Sequence, residues 1–196
     1  QDFVSAIRNI YDIRDNQYTL SQLEGLSDGI YYWRVLAGDN AGNVGPWSDN
    51  RKLVVDTGAP DTPSIVSPAL GDYENDNTPL FTWSAVSDPS SVTYRLVIAS
   101  DQDFNLVIYD NDQLTQNSDN FDLHPENALS DGGWYWKVIA SDNAGNSSSA
   151  ASGWFLVDTV SPAKPSGLSP SGIFKDNSSP KFDWLGVSDA SGVSYD

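Results

Sequence analysis

Between residues 57 and 158 apolar and polar positions alternate with a period of two in short runs, and clusters of Pro, Gly, Asn, Asp and Ser separate the runs. Successive side chains of a strand point to opposite faces, so this pattern predicts short β-strands, with no stretch at the helical period. Strands are expected near 62–67, 79–85, 92–100, 105–110, 119–123, 133–141 and 149–157. In the sixth, Trp134, Trp136, Val138 and Ala140 share one face and Tyr135, Lys137 and Ile139 the other. The first set is the expected core face, with Phe81 and Trp83 packing toward it. Asp142 to Asn146 reads as a hairpin turn, because Gly and Asn tolerate positive φ. Seven short strands of this kind make an all-β antiparallel sandwich.

The same pattern occurs more than once. Ser27-Asp28-Gly29-Ile30-Tyr31-Tyr32-Trp33-Arg34-Val35 recurs as Ser130-Asp131-Gly132-Gly133-Trp134-Tyr135-Trp136-Lys137-Val138, and Asp39-Asn40-Ala41-Gly42-Asn43 recurs as Asp142-Asn143-Ala144-Gly145-Asn146. The register holds through Val55-Asp56-Thr57 and Val157-Asp158-Thr159, Ser67-Pro68 and Ser169-Pro170, and Phe81-Thr82-Trp83 and Phe182-Asp183-Trp184. The period, about 102 residues, is the size of one β-sandwich and too long for a solenoid unit. The expected organisation is the C-terminal half of one repeat over 1–56, a complete repeat over 57–158 and the N-terminal half of a further repeat over 159–196. The two halves together approach one repeat, so the tail of one chain is expected either to complete the head of the next by strand complementation or to be one window on a longer array.

Composition narrows the chemistry. The chain of 196 residues has no Cys, no Met and a single His, His124, which excludes disulfides, thiolate nucleophiles, Cys-ligated metals and multi-histidine centres. Ten Lys and Arg against 27 Asp and Glu give a formal charge of −17, which repels nucleic acid and anionic membranes. Neither a long apolar run nor a signal segment is visible, and a start at Gln1 suggests part of something longer. No nucleophile elbow, Walker loop or dinucleotide fingerprint occurs, and acids spread over loops do not form the tuned pair of a glycosidase. No catalytic residue is assigned.

The strand Tyr31 to Ala37, the turn Asp39 to Asn43 and the linker Val55-Asp56-Thr57-Gly58-Ala59-Pro60 resemble bacterial immunoglobulin-like and fibronectin type III-like repeats of extracellular surface proteins. That resemblance implies a cell-surface location and a structural role in a rod, filament, surface layer or adhesin stalk. It also implies neighbouring repeats or other copies of the chain as partners. Two alternatives accompany it: an adhesive module for surface sugars or proteins, with Tyr32 and Tyr135 on the outward face, and an accessory module of a polysaccharide-degrading enzyme. Strands of about 10 residues at about 3.4 Å each make such a module roughly 35–40 Å long.

Strand order also predicts where acids converge. Asp56 of the linker, Asp88 and Asp142 are expected at one junction, and Asp158, Asp189 and the acidic loop of Asp72, Glu74 and Asp76 at the other. Calcium takes 6–8 oxygen ligands, so these carboxylates are its candidate ligands, and the resemblance points to calcium at such linkers as well. The bland alternative is that each Asp simply caps its own loop.

Overall fold

A computed structural model describes residues 7–115, 120–122, 128–170 and 179–196. The chain forms two compact units, Gln1–Thr57 and Gly58–Asp196. In the first, β1 (Gly29–Trp33) pairs antiparallel with β2 (Arg51–Val55), after a short 3-10 turn at Gln22–Glu24.

The second unit holds a β-sandwich. β3 (Ile65–Ser67), β5 (Leu80–Trp83) and β8 (Asn120–Asp122) form a three-stranded sheet. β4 (Asp72–Glu74), β10 (Ala151–Val157), β9 (Gly132–Asp142), β6 (Val92–Ala99) and β7 (Val107–Thr115) form a five-stranded sheet in that order. A further ribbon pairs β11 (Ser166–Ser169) with β12 (Asp183–Leu185).

The alternation along β9 is realised as expected: Trp134, Trp136, Val138 and Ala140 are buried, and the residues between them are half-buried on the outer face. Phe81 and Trp83 of β5 face them across the sandwich and are equally buried. The Phe81 ring meets Trp136 edge-on at 5.2 Å and Phe155 at 5.7 Å, an arrangement that aromatic quadrupoles favour over face-to-face stacking. Leu96, Ile98 and Val157 fill the space around them.

Two elements depart from the alternation pattern. β4 lies where a loop between the first two expected strands was anticipated, and it pairs in parallel with β10. Three residues are too short for a period to register, and the pairing is made by main chain. β7 continues to Thr115 through the polar run Asp110-Asn111-Asp112, which was expected to end a strand. It is an edge strand with a largely exposed surface, so polar side chains cost little there, and Arg95 of β6 grips Asp110 with two hydrogen bonds of 2.7 and 2.6 Å.

Trp33 and Trp184, the repeat counterparts of the buried Trp136 and Trp83, are 52% and 44% exposed. Each sits on a two-stranded ribbon. His124 and the end of the fifth expected strand at Leu123 lie outside the described residues.

The face assignment predicts opposite outcomes for two aromatic residues. Phe81→Ala should lower stability by about 3–5 kcal/mol in urea unfolding. Tyr73→Ala, at a residue exposed on β4, should change it by no more than about 0.5 kcal/mol.

Candidate functional site at the domain poles

The turn after β9 is built by one carboxylate. Asp142 Oδ1 accepts the amides of Ala144 at 2.9 Å and Asn146 at 2.8 Å, and Oδ2 accepts Asn146 Nδ2 at 2.7 Å. Asp39 repeats the arrangement in the first unit, with Ala41 at 2.9 Å, Asn43 at 2.8 Å and Asn43 Nδ2 at 2.8 Å. Gly42 and Gly145 take φ of 90° and 97°, the left-handed region where a Cβ is strained. The recurring Asp-Asn-Ala-Gly-Asn motif is thus a self-bonded turn: Asp as acceptor, Asn as clamp, Gly as corner.

The neighbouring loop uses the same device. Asp88 Oδ1 accepts the amide and hydroxyl of Ser90, both at 2.9 Å, and Ser90 Oγ in turn receives the Asn143 amide at 3.3 Å. Asp88 and Asp142 therefore lie at one pole of the sandwich. Asp189 repeats the Asp88 pattern with the Ser191 amide at 3.1 Å and hydroxyl at 2.7 Å. Asp56, next to the last residue of the first unit, is half-buried just after β2.

At the other pole Asp158 donates its amide to the Glu74 carbonyl at 2.9 Å, which ties the end of β10 to β4. Asp158 Oδ1 accepts the Val160 amide at 3.2 Å, whereas Oδ2 is buried and receives no N–H or O–H donor among the described residues. Its carboxyl lies near that of Asp189, so a cation there would offset the repulsion of two like charges. Asp72 and Asp76 each spend an oxygen locally, Asp72 on the Ala69 amide at 2.7 Å and Asp76 on the Thr78 amide and hydroxyl at 2.8 and 2.9 Å.

One pair of residues escaped the sequence reading. Asp131 Oδ1 accepts the amide and hydroxyl of the linker residue Thr159 at 3.1 and 2.9 Å, and Asp28 holds Thr57 in the same way at 3.1 and 3.0 Å. The signal was present, because the Ser-Asp-Gly and Val-Asp-Thr motifs recur together. What was missing was the fold that brings the start of β9 beside the end of β10.

These contacts set the charge states. Hydrogen bonds from the Asn43 side chain and amide hold Asp39 below the usual carboxylate range. At Asp142 desolvation pushes upward, but the bonds from Asn146, Gly145 and Ala144 outweigh it and the net shift is down. Asp189 is lowered first by the Ser191 hydroxyl and amide and further by its contact with Asp158. Glu74 moves the other way, raised by burial and then by the charges of Asp72 and Asp76.

Two pH responses follow. The lowered Asp groups favour the fold above their unfolded value of about 3.9 and cease to do so as pH falls through their lower folded values, so Asp142→Ala should lower the melting temperature at neutral pH and by less in strong acid. Glu74, raised in the folded state, opposes folding once ionised. Glu74→Gln should therefore raise the melting temperature at neutral pH, with the gain gone below about pH 4, read by calorimetry across a pH series.

Residues 71–159 match the family model described as the bacterial Ig-like domain, a stretch that runs from the entry to β4 through the linker residue Thr159. No curated protein matches the chain. Among solved structures, the fibronectin(III)-like modules of Clostridium thermocellum CbhA have a TM-score of 0.46 at 17% identity, covering 69% of this chain and 65% of that one. The FN1–FN3 domains of chicken CNTN1 have a TM-score of 0.41 at 17% identity, covering 71% of this chain and 47% of that one. The chain thus spans less than two thirds of either neighbour. With seven short strands in two facing sheets and poles closed by carboxylate turns, the stretch over residues 71–159 is similar to the bacterial Ig-like domain.

Proposed function

We propose that the chain is a section of an extracellular rod, in which immunoglobulin-like repeats follow one another and act as spacers without catalytic activity. The observation that carries this reading is the linker clasp, Asp131 to Thr159 and its copy Asp28 to Thr57. A linker bonded through both amide and hydroxyl to the pole of its own domain leaves few free torsions before the next repeat, which suits a spacer.

The flanking segments fit the same reading, because they reproduce parts of the complete domain. Tyr195 receives the Val187 amide at 2.8 Å and lies 5.2 Å from Trp184, as Tyr94 receives the Val86 amide at 2.9 Å and lies 5.5 Å from Trp83. Trp33 and Val35 correspond to the buried Trp136 and Val138, yet both are exposed. Segment 159–196 carries Phe182 and Trp184, the counterparts of Phe81 and Trp83, and segment 1–56 carries the counterparts of β9 and β10, so the two segments correspond to complementary halves of one sandwich. A fusion of 159–196 to the front of 1–56 should fold as a single cooperative domain with near-ultraviolet dichroism. The unfused chain should self-associate with concentration in sedimentation velocity. A fusion that stays unfolded contradicts the repeat reading.

Calcium is the ion proposed for the poles. Asp158 and Asp189 are its ligands at one pole, where the Asp158 amide bonds the Glu74 carbonyl of β4 and Asp72 and Asp76 flank Glu74 in the chain; Asp88 and Asp142 are the candidates at the other pole. The buried Asp158 Oδ2 supports this, since a carboxylate oxygen without a donor is costly unless a cation meets it. Most Asp142 lone pairs are spent on its own turn, so Asp158 is the sharper test. Calcium should raise the melting temperature above that in chelator, and Asp158→Asn should shrink the difference.

A further inference from the structure

The outer face of the five-stranded sheet carries a groove of about 390 Å³ that the spacer role does not use. Tyr135 of β9 and Trp154 of β10 stand directly opposite each other in the ladder. Their chain neighbours Trp136 and Phe155 are buried, so both rings project outward, and the indole is 39% exposed. Leu70, exposed before β4, forms the end of the groove, and Gly71 donates its amide to the Trp154 carbonyl at 2.8 Å. A Cβ on Gly71 would lie 3.6 Å from the indole, so the chain passes close beneath the ring.

The remaining wall is set by backbone strain. Phe104 has φ of 56°, a left-handed conformation that is unfavourable for a bulky side chain. Asp101 enforces it: its carboxylate accepts the Leu106 amide at 2.6 Å, the Asn105 amide at 3.0 Å and Asn105 Nδ2 at 3.3 Å, and its carbonyl accepts the Phe104 amide at 3.2 Å. This closed loop lays the Phe104 ring against the sheet, where the Lys137 ammonium sits 4.1 Å from its centroid. A strained aromatic residue held by a dedicated carboxylate is not needed for the core, since Phe104 lies outside the buried cluster.

We propose that this groove binds a neutral saccharide chain. Exposed aromatic faces suit the apolar C–H faces of sugar rings. The Gln102 amide and Ser152 hydroxyl, which also line the groove, offer donors and acceptors to ring hydroxyls. The overall charge of −17 disfavours polyanions, and the nearby Lys137 is directed at an aromatic ring. The position equivalent to Trp154 in the first unit is Lys52, so the site belongs to the complete domain.

The test is affinity electrophoresis of the whole chain in gels carrying hydroxyethylcellulose, galactomannan or laminarin, with polygalacturonate as the anionic control. At least one neutral polymer should retard the protein and polygalacturonate should not. Trp154→Ala should weaken that retardation by about tenfold, and Gln102→Ala, at an exposed position with no core role, should weaken it several-fold. Trp47→Ala, an exposed indole of the first unit, should leave it unchanged. Absence of retardation by all three neutral polymers, or retardation that survives both groove variants, overturns the proposal, as does equal retardation by polygalacturonate.

Discussion

The edge-to-face contact between Phe81 and Trp136 is the one on which the sandwich depends. It joins a three-stranded sheet to a five-stranded one through two fully buried rings. Short strands offer little ladder of their own, so the stability of such a domain rests on what is packed between its sheets. Every other assignment of inside and outside follows from that contact. Once Trp136 faces inward, Tyr135 and Lys137 face outward, and the cross-strand partner Trp154 joins them. The core and the outer groove are thus two consequences of one register.

The acidic character of the chain takes on a different meaning in three dimensions. A charge of −17 excludes anionic partners from sequence alone, but many of the carboxylates are committed inside the molecule. Asp39, Asp88, Asp101, Asp131, Asp142 and Asp189 each accept hydrogen bonds from their own or a neighbouring loop. They do the work that disulfides do in some small domains, fixing turns through side-chain hydrogen bonds. Asp158 retains a buried oxygen with no hydrogen-bond donor among the described residues, which is why it carries the calcium proposal.

Alternation made β9, β6 and β10 legible, because each is long enough for period two to be counted and each lies against the core. β4 was illegible, since three residues that pair by main chain leave no pattern. The Asp-Asn-Ala-Gly-Asn repeat was visible as a motif, but its purpose was not. Spacing showed that Asp142 lies near Asp88, whereas only geometry showed that its oxygens turn back on Ala144 and Asn146. The Asp131 to Thr159 clasp joins residues 28 apart in sequence, and the groove draws Leu70, Phe104, Tyr135 and Trp154 from four separate segments. Neither can be read along a chain without a register.

The central claim is that aromatic packing fixes the body of the domain while carboxylates fix its poles to the same degree. Residue-resolved amide hydrogen exchange tests this most directly. The account predicts that Ala144, Asn146 and Thr159, although outside the strands, exchange as slowly as edge-strand amides, each protected by its Asp acceptor. Exchange of these three amides at the rate of an unstructured peptide, with β9 fully protected, would contradict it.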